Sequence, residues 1–240
     1  MPNILSVCFG LCYLYAVLCD ASHRKPSKQK IIVTGIIGKK VAMTSVFQGD
    51  VAVPCTIVEV FHCRVTQIKE QAKDGYDAIQ LACDEQKKSR VSKPLQGHFD
   101  KAGVPPQKKV VEFRDFHSAY REAPFALGDV VKQEDLFAEG ETVDVQGVSK
   151  GGGFAGPRKL HGFAGMLKTH GHPHPNPPGS VGAGTTPGRV FRGKKMAARK
   201  GGNRVTVKNL KIVKMVNDRR FMVLKGAVPG PRGSYVILKK

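Results

Sequence analysis

Three histidines alternate with glycine and prolines in THGHPHPNPPGS, residues 169–180, placing His170, His172 and His174 at i, i+2 and i+4. Imidazole is a common ligand for zinc, copper and nickel, so metal coordination is the first chemistry this spacing suggests. A zinc site takes about four ligands, fixed by surrounding structure and oriented by further hydrogen bonds. Neither a cysteine nor a carboxylate lies between Asp144 and Asp218 to complete such a set. The competing chemistry is stacking. In an extended proline-rich loop, imidazole and pyrrolidine rings can lie against nucleobases and ribose, as in many RNA complexes. The stretch therefore reads as a loop that meets RNA, and no metal ligand is assigned to it; a His-rich metal-binding protein is kept as an alternative.

A second set of residues points the same way. SKGGGFAGPRK (149–159), GRVFRGKKMAARKGGNR (188–204) and GPRG (230–233) set Lys and Arg beside glycines. Glycine has no side chain to hold a phosphate off, so the backbone can approach it and donate N–H groups. Such contacts position a protein on RNA without reading its bases. A nucleotide-binding P-loop is excluded, because FRGKKM lacks the Ser or Thr that must follow the lysine.

The charge distribution gives these runs their meaning. The 240 residues carry a formal net charge of +20. Residues 1–150 hold 20 Lys and Arg against 18 Asp and Glu, whereas residues 151–240 hold 19 against the single acid Asp218. A solvated surface mixes both signs. Cations without local carboxylates repel one another until an outside polyanion neutralises them, which favours nucleic acid phosphate as the partner.

Catalysis finds no support. Ser180 in PPGSVG does not sit in a nucleophile elbow, and no motif ties a histidine to a carboxylate. The six cysteines, at 8, 12, 19, 55, 63 and 83, contain no CxxC pair. Cys55 and Cys63 fall on strand-like stretches and read as buried thiols rather than reactive ones. No enzyme and no cofactor is expected.

The elements that must carry these residues are mainly β. IIVTGIIGKKVAMTSVF (31–47), VAVPCTIVEV (51–60), RVTQIKE, YDAIQLAC and KKVVEFRDF alternate apolar and polar positions or run β-branched, which predicts strands. LGDVVKQEDLFAEGETVDVQGVSKG predicts two more around an acidic turn, and SKPLQGHFDKAG (92–103) a helix ended by VPP. Residues 204–230 predict a strand pair around NDRR, and SYVILKK a last strand. Short strands joined by turns suggest an antiparallel barrel or sandwich. Between them, residues 147–203 hold fifteen glycines and six prolines with scattered apolar positions. That is too little apolar surface to repay the ordering entropy, so this stretch should not fold alone. The apolar segment 4–21 and the basic run behind it are set apart from the fold, as a targeting presequence, a membrane anchor or translation from upstream of the true start.

GIIGKKVAMTSVF, VTQIKEQAKDGYDAIQL, VDVQGVSKGGGFAG, PGSVGAGTTPGRVFRGKKMAARKGGNRVTVKNLKIV and MVLKGAVPGPRGSYVI, in this order, resemble the bacterial type of the large-subunit ribosomal protein L three family. The resemblance runs from about residue 35 to 240. It implies a translation-protein-type β-barrel with one or more short helices, interrupted by a long extended arm that enters rRNA toward the peptidyl transferase centre. It further implies binding near the 3′ end of the large rRNA, a part in early subunit assembly, and neighbouring large-subunit proteins as partners. The division is then an N-terminal extension (1–30), the first part of the barrel (31–149), the arm (150–203) and strands completing the barrel (204–240). By resemblance, Lys150, Arg158, Lys159, Arg189, Arg192, Lys194, Lys195, Arg199 and Arg204 are rRNA-contacting cations. Lys168, Lys200, His170, His172 and His174 join them from the same carboxylate-free stretch. Two departures stand out: Gly152 replaces the second basic residue of the family's SKGKGF, and Ala183 and Thr185 stand where some relatives carry a methylated glutamine. A cytoplasmic ribosome is the expected location, with an organellar ribosome if residues 1–30 are a presequence. A free basic β-barrel regulator of mRNA or DNA is the rival reading.

Overall fold

The computed structural model describes residues 34–114, 116, 125–216 and 220–240. The N-terminal segment 1–30, with Cys8, Cys12 and Cys19, and most of the NDRR turn lie outside them. Twelve strands follow in chain order: β1 (Gly35–Gln48), β2 (Val51–Val60), β3 (Cys63–Lys69), β4 (Ala78–Glu85), β5 (Gln107–Arg114), β6 (Val130–Val131), β7 (Thr142–Val148), β8 (Phe154–Ala155), β9 (Ala198–Arg199), β10 (Arg204–Val216), β11 (Phe221–Lys225) and β12 (Tyr235–Lys239). The fold is mainly β.

Six of these strands close a barrel in the order β1, β12, β7, β10, β11, β2. Every pairing around it is antiparallel. Closure removes the free edges a sandwich would keep. The period-two pattern sends Ile36, Val58, Val145, Ile212, Leu224 and Leu238 inward, all fully buried.

Residues 31–149, read from sequence as one run of barrel, divide differently. The barrel takes only β1, β2 and β7 from them, and β5, β4, β3 and β6 form a separate four-stranded sheet in that order. The alternation in RVTQIKE or YDAIQLAC says that one face is buried but not against what, because a barrel strand and a flanking-sheet strand share the same period. Cys63, Val65, Leu81, Cys83 and Phe113 of that sheet share one apolar cluster with the barrel residues. Cys55, Cys63 and Cys83 are buried free thiols. The neighbouring Cys63 thiol, and then burial, push the Cys83 pKa upward, which makes it a poor nucleophile.

The predicted helix forms over Lys93–Lys101, with a proline in its first turn and Phe99 buried. A one-turn helix at Gln71–Asp74 and a 3₁₀ turn at Lys88–Arg90 were not anticipated, being too short for a periodic signal. Among the described residues, no helix is long and apolar enough to cross a membrane.

Gly35 joins the two sheets. A Cβ there would lie 2.2 Å from Cε1 of Phe113, whose ring is itself 1% exposed and has nowhere to go. Gly35→Ala should therefore cost about 1–3 kcal/mol through overpacking. A urea titration checks this, with the midpoint falling and the slope unchanged.

Candidate nucleic-acid interface

The chain leaves the barrel at Val148 and returns at Arg204, two residues paired directly across β7 and β10. The intervening segment thus emerges as two adjacent runs from one place on the barrel, and the ladder continues briefly into it. Ser149 N–H donates to the Asn203 carbonyl at 2.9 Å, Gly152 N–H to the Lys200 carbonyl at 2.7 Å, and Lys200 N–H to the Gly153 carbonyl at 2.8 Å. The two-residue strands β8 and β9 extend this root by pairing Phe154 with Arg199 and Ala155 with Ala198.

Gly201 makes the root possible. Its φ is 71°, in the left-handed region, and a Cβ would lie 2.0 Å from the Lys150 carbonyl oxygen. Gly201→Ala must therefore move one run against the other while leaving the barrel core untouched. Under the RNA-contacting role expected from the sequence, the result is an unchanged denaturation midpoint with RNA affinity about tenfold weaker, equal to about 1.4 kcal/mol. Paired melting and filter-binding assays would check it.

Beyond the root, a short helix spans Pro157–His161. Arg158 Nη1 donates to Asn176 Oδ1 at 2.8 Å, and Met166 N–H donates to the Pro175 carbonyl at 3.2 Å. Gly165, with φ of 77°, allows this approach, since a Cβ there would stand 2.7 Å from the Pro175 oxygen. The proline-rich loop is thus braced against residues 158–166. His161 Nε2 and the Met196 carbonyl lie 2.9 Å apart, linking the outgoing and returning runs.

His170, His172 and His174 are all exposed on this loop. His172 Nδ1 accepts the His174 backbone N–H at 3.2 Å, so one ring nitrogen is already engaged locally. Among the described residues, no group of three or more His, Cys, Asp or Glu is arranged to hold a metal ion.

Lys150, Lys159, Lys168, Arg189, Arg192, Lys194, Lys195, Arg199, Lys200 and Arg204 are likewise exposed, and Arg158 is half-buried by its bond to Asn176. They line one continuous segment but do not converge on a pocket. Where their side chains find protein partners, those partners are uncharged: Arg204 Nη2 donates to Gln146 Oε1 at 2.6 Å, and the Arg189 guanidinium lies 5.3 Å from the Phe191 ring centroid. Apolar side chains stand bare among them, with Phe154 79% and Phe191 61% exposed. A surface of unneutralised cations with open aromatic faces suits phosphate and base stacking together.

The sequence profile described as Ribosomal protein L3 matches residues 111–220, a span that includes the whole of this segment. The large ribosomal subunit protein uL3 of Salinibacter ruber is 47% identical over 210 residues, covering 86% of this chain and 99% of that protein. The chain belongs to the large-subunit ribosomal protein L3 family. The uL3 protein of Chloroherpeton thalassium is also 47% identical, over 85% of this chain and 97% of its own length.

Within this L3-family chain, the departure at Gly152 has a local counterpart. A Cβ at Gly152 would meet the aliphatic stem of Lys200 at 3.4 Å, so the stem of another cation already lies over the position. One residue escaped notice in the sequence. Lys40, in β1, is 6% exposed and donates from Nζ to the carbonyls of Val228 at 2.7 Å and Gly230 at 3.1 Å. Burial, with nearby Lys150 adding to it, lowers the pKa of this ammonium. It pins the 226–234 loop where Gly230 packs against Val148 at the root. In the sequence it is one half of an ordinary Lys39-Lys40 pair, and nothing local separates it from a surface cation. Lys40→Met would strand two buried carbonyls and should cost about 1–3 kcal/mol, readable as a lowered urea midpoint.

Proposed function

We propose that the chain is a structural constituent of the large ribosomal subunit that binds large-subunit rRNA through residues 150–203. Lys150, Arg158, Lys159, Lys168, Arg189, Arg192, Lys194, Lys195, Arg199, Lys200 and Arg204 neutralise phosphates. His170, His172 and His174 offer rings to bases and ribose at the braced proline-rich loop. One observation carries the reading: the largely exposed segment 150–203 contains no carboxylate, so its cations have no counter-charge of their own.

In this reading the barrel is the base, and the segment is an arm directed toward the peptidyl transferase centre. Binding is near the 3′ end of the large rRNA and supports early assembly. The partners are that rRNA and neighbouring large-subunit proteins, and the protein performs no reaction. Its place is the cytoplasmic ribosome, or an organellar ribosome should residues 1–30 act as a presequence. Co-sedimentation tests this against a free RNA- or DNA-binding regulator. The tagged chain should remain with large subunits through a high-salt cushion, and release into the supernatant at a salt that leaves the subunits intact would refute the assignment.

A further inference from the structure

The hairpin of β1 and β2 outruns the barrel that it helps to close. β12 covers β1 only from Gly35 to Lys39, and β11 covers β2 only from Cys55 to Glu59. Past those points β1 pairs with β2 alone over Ala42–Gln48, and β2 pairs with β1 alone over Val51–Pro54, around a turn where Gly49 takes φ of 61°. Among the described residues, the outer edge of β1 from Ala42 to Gln48 has no strand partner.

Three features of this tip separate it from the arm. First, paired residues share a face, so Met43 and Phe47 of β1 lie on one side with Pro54 and Ala52 of β2. Met43 is 49% and Phe47 73% exposed, and Ala52 and Pro54 are exposed beside them. Secondly, from Val41 to Val58 the only charge is Asp50, in a chain of net charge +20, so this surface has nothing with which to hold a phosphate. Thirdly, the devices that protect edge strands are missing, since Ala42–Gln48 contains no lysine, no proline and no other charge.

We infer that this tip is a protein-docking surface that accepts an extended strand of a neighbouring protein along the free edge of β1. Main-chain hydrogen bonds would complete the edge, and alternate apolar side chains of the incoming strand would cover Met43 and Phe47. Asp50 at the turn calls for a Lys or Arg where that strand passes the tip. The neighbour is a protein of the large subunit, so the inference rests on the ribosomal reading above.

The test places a photo-crosslinking benzoylphenylalanine at Phe47 in the full chain, which is expressed in its host and recovered in large subunits. The expected product joins residue 47 to an extended, apolar segment of another large-subunit protein. Crosslinking to rRNA, to a second copy of this chain, or to nothing would overturn the inference. A second variant, Met43→Asp with Phe47→Asp, separates this failure from failure of the ribosomal reading. It should keep the melting temperature and bind rRNA within about twofold of the wild type, while the crosslink made from an adjacent photo-probe at Ser45 falls at least tenfold. An equal tenfold loss of rRNA binding would mean that the tip meets RNA and would sink the proposal.

Discussion

Raising monovalent salt from about 50 to about 200 mM should weaken binding of the isolated chain to large-subunit rRNA by about a thousandfold or more. The magnitude follows from counting phosphates. Eleven Lys and Arg side chains are assigned to the interface, and exposure of ten of them leaves most free to reach a phosphate. Each neutralised phosphate releases condensed counterions, and six to ten such contacts give losses of about 10³ to 10⁵ over that salt range. Carboxylates within the segment would have blunted the effect by competing as internal counter-ions, but none lies between Asp144 and Asp218. A near-flat affinity over this range would rule out phosphate neutralisation as the source of binding.

Replacing Arg189, Arg192, Lys194 and Lys195 together by glutamine should lower affinity at low salt by about a hundredfold or more and reduce the salt slope by about 3 to 4. These four lie within seven residues on the returning run, all exposed, and among the described residues none bonds to a carboxylate. They are remote from the barrel core, whose buried members come from β1, β2, β7, β10, β11 and β12. The folded body should therefore keep its melting temperature, which divides lost contacts from lost fold. Filter binding at several salt concentrations beside a thermal melt supplies both readings. An unchanged slope would show that the four side chains do not touch phosphate.

Much of this was legible in the residue order. A β-branched run in VAVPCTIVEV marked β2, and alternation in YDAIQLAC marked β4, because a half-buried strand repeats every two residues. Proline at the start and a Pro-Pro pair beyond the end bounded the helix at Lys93–Lys101. The arm was visible as missing carboxylate and missing apolar surface, which are properties of composition. What did not show were facts about pairing at a distance. β3 to β6 leave the barrel for a sheet of their own, a choice made by contacts such as Gly35 against Phe113 across the two sheets. Lys40 reaches the carbonyls of Val228 and Gly230 from the far end of the chain, and Gly201 owes its glycine to the Lys150 carbonyl beneath it. Local spacing records none of these partners. Likewise, the Lys200 stem lies across Gly152 from the returning run, a contact that the local motif does not record.

The arm combines few buried side chains with a backbone ladder confined to its root, the features of a segment that opens at little cost. The proposed function assigns its ordering in the subunit to RNA. Hydrogen exchange of the amides from Lys150 to Asn203, measured on the free chain and on intact large subunits, addresses this directly. The account predicts exchange near the unprotected rate when free, slow exchange inside the subunit, and barrel amides protected in both. Strong protection of those amides in the free chain would contradict it.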